Sequence, residues 1–187
     1  MFPLIVDLKD KDVLVIGFGR VGKRKIKKLN EYGICPDVFS EGFEGGEDLF
    51  FNRVNKLNLK KYLLIIQASN DSKFNEKLKK SLDPKTLYVD CEKKDRSNAF
   101  FPASFLKSGI SVSFSSFGKF PLLAKELKNS YEKSFSFSEE KLELLDILRK
   151  RTKNREDRYL LLEKGLEMES ISSLRELIES LGEGDEA

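Results

Sequence analysis

The stretches Val13-Leu14-Val15-Ile16 and Tyr62-Leu63-Leu64-Ile65-Ile66 are each apolar without interruption. A strand covered on both faces has no solvent side and loses the period-two alternation, so both runs predict inner strands of a parallel sheet. Asp37-Val38-Phe39, a weak stretch near Arg53-Val54, and Thr86-Leu87-Tyr88-Val89 are shorter strand candidates. Between them the period changes. Gly22, Ile26 and Leu29 recur at spacings of four and three, which gives a helix one small, apolar face for a sheet, with Lys23, Arg24, Lys27 and Lys28 pointing mostly elsewhere. Gly33 ends that helix. Asn70-Asp71 caps a second one running to about Ser81. Strand, helix, strand, repeated, predicts a doubly wound α/β sheet.

From Phe101-Pro102 onward the pattern is different. Ile110-Ser111-Val112-Ser113-Phe114 alternates apolar and small polar residues, as a strand with one wetter face does, and reads as part of a second, smaller unit. After Pro121 the spacing is helical: Leu122, Leu123 and Leu127, then Leu142, Leu144, Leu145 and Leu148, then Tyr159 to Leu166, then Leu174 to Leu181. Ser136-Phe137-Ser138 and Thr152-Lys153-Asn154 are the predicted breaks.

Length and composition narrow this picture only in places. With 187 residues, 40% hydrophobic and 35% charged, the chain has room for one ordinary domain and a smaller appendage. No stretch reaches the roughly 18 to 20 apolar residues of a membrane span, and Met1 to Lys11 lacks the layout of a signal peptide. A soluble, cytoplasmic protein is expected, with Cys35 and Cys91 as reduced thiols. Without histidine the usual Cys/His zinc site is excluded, and no metal ligand set is expected. A net charge of +3 is too small to indicate nucleic acid as a partner.

The candidate chemistry begins at Gly17-Phe18-Gly19-Arg20-Val21-Gly22, a G-x-G-x-x-G element. Alone it would be weak, but it follows a buried strand at once and opens a helix. Each glycine then has a physical role, with Gly17 making the tight turn, Gly19 allowing close approach of backbone to a pyrophosphate, and Gly22 packing helix against strand. The helix N-terminus supplies an anion site, and a bound anion offsets the cost of Arg20, Lys23 and Arg24 near its positive end. A dinucleotide is the expected ligand. The acidic residue that holds its adenosine ribose should lie about 20 residues on. Asp37 is near that distance, and Glu41, followed by Gly42, is better placed. Nothing there offers an arginine for a 2′-phosphate, which favours NAD over NADP.

Five landmarks then occur in order: Phe2 to Leu8; Val13 to Lys25 with the pair Arg24-Lys25; Gln67-Ala68-Ser69-Asn70-Asp71 followed by Asn75; Phe100-Phe101-Pro102-Ala103; and Ser115-Ser116-Phe117-Gly118-Lys119-Phe120-Pro121-Leu122-Leu123-Ala124. In these the chain resembles the N-terminal module of siroheme synthases and the free-standing precorrin-2 dehydrogenases, some of which are also sirohydrochlorin ferrochelatases. The last landmark is the most specific, since generic dinucleotide-binding folds lack it. The resemblance covers Met1 to Leu127, about two thirds of the chain.

The resemblance implies a Rossmann-like NAD-binding domain over residues 1–101, a dimerisation and substrate segment over 102–130, and a C-terminal helical domain over 131–187. It implies oxidation of precorrin-2 to sirohydrochlorin, with hydride passing to NAD⁺, by a homodimer. Cofactor contacts fall on Gly17, Gly19, Arg20, Val21, Gly22, Glu41, Gly42 and Ser69, and substrate contacts on Ser115, Ser116 and Lys119. The family's candidate catalytic aspartate, about ten residues before the Phe-Pro pair, lands on Glu92 without gaps and on Asp90 with a small one. Both stay open, Glu92 preferred. Phe117 stands where the family commonly has glycine, and either reshapes the turn or packs in a core. Without histidine, any ferrochelatase activity must rest on carboxylates. An NAD-sensing regulatory module and a tetrapyrrole-binding protein without dehydrogenase activity are the competing readings.

Overall fold

A computed structural model describes residues 2–40, 54 and 56–182. The chain forms two compact units, Met1–Pro102 and Ala103–Ala187.

The first unit is built on a four-stranded parallel sheet in the order β2-β1-β3-β4, with β1 Val13–Ile16, β2 Asp37–Phe39, β3 Leu64–Gln67 and β4 Leu87–Asp90. The two uninterrupted runs are the central strands β1 and β3. Each of their residues is buried, which is why neither alternates. Successive side chains supply two separate cores. Leu14, Ile16, Ile65 and Tyr88 face Phe74 and Leu78 of helix α2 (Ser72–Ser81), while Val13, Val15, Leu64, Ile66 and Val89 face Leu29 and Ile26 of helix α1 (Arg20–Asn30). Helices thus cover both faces, the doubly wound arrangement expected. α2 starts where Asp71 accepts the Phe74 N–H at 2.9 Å, a side-chain N-cap.

Two local expectations are corrected. Val54, expected with Arg53 in a weak strand, is not in one: it has helical backbone, its carbonyl accepts the Leu57 N–H at 3.0 Å, and it is fully buried in the α2-side core, while Arg53 lies outside the described residues. Burial of Val54, not strand pairing, accounts for the apolar residue. In the second long run, Tyr62 and Leu63 precede the strand and Gln67 belongs to it.

In the second unit, β5 (Ala103–Lys107) and β6 (Ile110–Phe114) pair antiparallel around the turn at Ser108-Gly109. The hydrophobic pattern does not predict β5. Helix α3 (Pro121–Ser134) lies on this hairpin, where Tyr131 meets the rings of Phe105 and Phe114, with centroids 6.3 and 5.9 Å away. Helices α4 (Glu139–Arg151), α5 (Arg158–Glu167) and α6 (Ile171–Ser180) enclose a core of Leu144, Leu145, Leu148, Leu174 and Ile178. α5 comes close because residue 165 is glycine; a Cβ there would stand 2.7 Å from Leu148 Cδ2 and 3.3 Å from Leu174 Cδ1. Among the described residues no helix is long and apolar enough to cross a membrane.

Candidate functional site

Parallel strands end at one edge, and here the edge gathers three loops: Gly17–Gly19 after β1, Ala68–Ser69 after β3 and Cys91–Glu92 after β4. The order β2-β1-β3-β4 reverses direction between β1 and β3, and ligands of such sheets bind at that switch. Gly17 sits in it. Its φ is +100° and a Cβ would come 2.8 Å from the Ala68 carbonyl oxygen and 3.1 Å from Ser69 N, so the β1 and β3 loops touch only because position 17 has no side chain. A Cβ on Gly22 would stand 2.0 Å from the Gly17 carbonyl oxygen, which fixes the first turn of α1 against the loop. Around Gly19, the residue before α1, nothing lies within 4 Å of where a Cβ would be.

This geometry fits a dinucleotide pyrophosphate. The α1 N-terminus has no side-chain cap and no acidic residue in its first turn, so its free N–H groups and positive dipole end are uncompensated. Exposed Arg20 opens the helix and Val21 and Gly22 complete the turn. The open space over Gly19 lets an anion reach them. On the next turn, Lys25 Nζ lies 4.1 Å from the centre of the Phe101 ring. Burial pushes its ammonium below the ordinary lysine value, with Cys91 opposing and Arg24 adding to that shift.

Of the two ribose candidates, Asp37 starts β2, at the end of the strand away from the glycine loop; Phe39, whose carbonyl accepts the Gly17 N–H at 2.8 Å, is the end beside it. The Asp37 carboxylate is engaged by Tyr62 Oη at 2.8 Å and Lys61 Nζ at 3.2 Å, and the Tyr62 hydrogen bond, then that from Lys61, holds it below the usual carboxylate range. Glu41 and Gly42 lie outside the described residues.

The two candidate carboxylates have separate situations. The Asp90 side chain has no solvent exposure. Its Oδ1 accepts the N–H groups of Glu92 and Lys93 at 2.8 and 3.0 Å, and Oδ2 meets Arg96 at 3.3 Å. Asp90 is thereby used up in shaping the loop after β4. Glu92, with its side chain 32% exposed, has its Oε2 held by Asn75 Nδ2 at 3.0 Å and Arg96 at 3.2 Å. Asn75 is in turn hydrogen-bonded through Oδ1 to Gln67 Nε2 and to Ser69 Oγ, the latter at 3.2 Å. Ser69 therefore adjoins both the glycine loop and the chain of side chains that ends on Glu92. In the sequence Gln67 and Asn75 stand out only as parts of a landmark, and Arg96 does not stand out at all. A polar residue closing an apolar strand is the signal available for Gln67; Arg96 carries none.

In the second unit, Ser115 Oγ accepts the Phe117 N–H at 3.1 Å and Ser116 Oγ accepts the Phe120 N–H at 3.0 Å, while each hydroxyl keeps its own proton for donation. Lys119 is exposed in the same turn. Phe117 is exposed and has φ +51°, so it belongs to the turn and not to a core. Left-handed backbone costs a non-glycine residue about 1–2 kcal/mol, and asparagine bears it best. Phe117→Asn is expected to raise stability by about 0.5–1 kcal/mol. A fall in the denaturation midpoint would show that the Phe117 ring outweighs its backbone strain. Among the described residues no group of three or more His, Cys, Asp or Glu is arranged to hold a metal ion.

The doubly wound sheet and the glycine loop at its switch point define a dinucleotide-binding protein. Residues 4–103 match the model of the family described as "Putative NAD(P)-binding", and the chain belongs to that family. It is 31% identical over 140 residues to a siroheme synthase of Buchnera aphidicola, covering 70% of this chain and 30% of that protein. It is 28% identical over 149 residues to the precorrin-2 dehydrogenase of Priestia megaterium, covering 73% and 74%, and 27% identical over 206 residues to a "Putative precorrin-2 dehydrogenase" of Methanocaldococcus jannaschii, covering 99% and 100%. The chain thus spans under a third of the siroheme synthase but most or all of the two dehydrogenases. Among solved structures, "SirC, precorrin-2 dehydrogenase" shares the fold, with a TM-score of 0.72, 21% identity, and 97% and 98% of the two chains covered.

Proposed function

We propose that this chain oxidises precorrin-2 to sirohydrochlorin with NAD⁺. The observation that carries the reading is a solvent-accessible carboxylate, Glu92, held at the same sheet edge as the glycine loop. The balance is one hydride and one proton removed from the tetrapyrrole for each NAD⁺ reduced. When bound, the nicotinamide supplies the hydride acceptor. The protein's part is to bind, orient and take the proton. Gly17, Gly19, Arg20, Val21, Gly22 and Ser69 hold the dinucleotide, and Glu92 receives the proton, Asp90 being committed to its loop. Ser115 and Ser116 supply hydroxyl donors, and Lys119 a cation, for the substrate's carboxylates. In this reading residues 1–101 bind NAD, 102–130 serve substrate and dimer, 131–187 form the helical domain, and the protein works in the cytoplasm. The test is an anaerobic incubation of the purified chain with precorrin-2 and NAD⁺. The sirohydrochlorin spectrum should appear only with NAD⁺ present; its absence from a protein that binds both ligands would end the proposal.

The same reading includes a homodimer. α3 exposes Leu122, Leu123 and Leu127 just after an exposed Phe120, and the hairpin β5–β6 pairs with no further strand among the described residues. Exposed apolar side chains beside open strand edges suit an interface between copies. Sedimentation should give twice the 21.5 kDa chain mass, and Leu123→Asp with Leu127→Asp should return it to one. A wild-type chain that sediments as a monomer would remove the dimer.

A further inference from the structure

A fully buried asparagine inside a helix needs a reason, because an amide in an apolar setting costs free energy unless it is fully paired. Asn75 of α2 is paired in a directed way. Gln67, also fully buried, and Ser69 both give hydrogen-bond protons to Asn75 Oδ1, which leaves Nδ2 as the end of the amide that faces Glu92 Oε2. With the amide reversed, an oxygen would oppose a carboxylate oxygen and an NH₂ would meet the donor Gln67 Nε2. The chain of donors therefore runs one way, from Gln67 through Asn75 to Glu92.

Arg96 approaches from the other side. It closes the short 3-10 turn Lys94–Arg96 and its side chain is only 9% exposed. One guanidinium nitrogen reaches Glu92 Oε2 and Asp90 Oδ2, and the other reaches Ser72 Oγ and Glu76 Oε1, at 3.3 Å for Glu76. The β4 loop is thus tied to the first turns of α2, where Asn75 also sits. Both grips on Glu92 land on Oε2, and among the described residues no donor reaches Oε1.

We propose that Asn75 and Arg96 are positioning residues that pin Glu92 by one carboxylate oxygen so that the other is presented to the substrate. A glutamate side chain has three rotatable torsions, and a reacting oxygen left to wander over them is seldom in place. Holding Oε2 from two elements fixes the direction of Oε1 before substrate arrives, which is the kind of preorganisation that reacting groups require. The proposal rests on Glu92 being the proton acceptor.

A double-mutant cycle separates the two ideas. Arg96→Lys and Asn75→Ser are assayed anaerobically with precorrin-2 and NAD⁺, each in the wild-type and in the Glu92→Gln background, with thermal unfolding followed in parallel. In the wild-type background each should lower kcat about ten- to a hundredfold while KM for NAD⁺ stays within about twofold. In the Glu92→Gln background neither should lower kcat further. Equal losses in both backgrounds, or none in the first, would overturn the positioning role. A Glu92→Gln enzyme with full activity would instead overturn the assignment of Glu92, and the positioning role with it. If Arg96→Lys fails to fold because Asp90 loses its partner, Asn75→Ser, which leaves Asp90 untouched, still decides.

Discussion

Gly22→Ala is expected to abolish dinucleotide binding and to destabilise the first unit. The added methyl would stand 2.0 Å from the Gly17 carbonyl oxygen, a backbone atom that cannot swing aside, and a Cβ on Gly17 would itself lie 2.8 Å from the Ala68 carbonyl oxygen, so the loop has no room to retreat. Relief requires α1 to move off the loop, and overpacking of this kind costs about 1–3 kcal/mol. Gly19→Ala is the informative partner. Its methyl would meet nothing within 4 Å, so the fold should keep its thermal midpoint while the dissociation constant for NAD⁺ rises, because the methyl occupies space the pyrophosphate needs. Calorimetric titration with NAD⁺ reads the affinities of both variants, and thermal unfolding reads their midpoints. Wild-type affinity in Gly22→Ala would mean the dinucleotide binds elsewhere.

The second large effect concerns the carboxylate that ends β4 and the one two residues beyond it, which should fail in different ways. Glu92→Gln keeps the size of the side chain and removes its capacity to take a proton; kcat should fall about 10²- to 10⁴-fold with stability and NAD⁺ affinity unchanged. Asp90→Asn should act on the fold. The carboxylate has no solvent exposure, accepts two backbone N–H groups and pairs with Arg96, and breaking such a pair from one side costs about 3 kcal/mol or more. Denaturant unfolding and steady-state kinetics on both variants distinguish them. A stable, well-folded Asp90→Asn enzyme without activity, beside an active Glu92→Gln, would exchange their roles.

Much of the first unit is legible in the sequence because its physics is local. An uninterrupted apolar run followed by glycine and a helical period can satisfy its burial in few ways, and β1, the glycine loop and α1 fall where the pattern predicts them. Asp71 is readable as a cap because its hydrogen bond spans only three residues. β5 is not legible: in Ala103–Lys107 only Phe105 is buried and Leu106 is exposed, so no alternation shows. Val54 misleads for the converse reason, since a buried valine serves a core from a helical turn as well as from a strand. At the site, spacing cannot choose between Asp90 and Glu92. The proposed choice of Glu92 rests on the backbone contacts that occupy Asp90 and on Arg96, which no motif marks.

The proposed hydride transfer from a tetrapyrrole to NAD⁺ can be tested atom by atom. Precorrin-2 carrying deuterium at the carbon that is oxidised is incubated anaerobically with the purified protein and NAD⁺, and the nicotinamide product is analysed by mass spectrometry. One deuterium in each NADH formed is expected, with one sirohydrochlorin per NADH, and both products should form about 10²- to 10⁴-fold more slowly with Glu92→Gln. Tight binding of both ligands with no deuterated NADH would contradict hydride transfer and leave a protein that senses or carries what it binds.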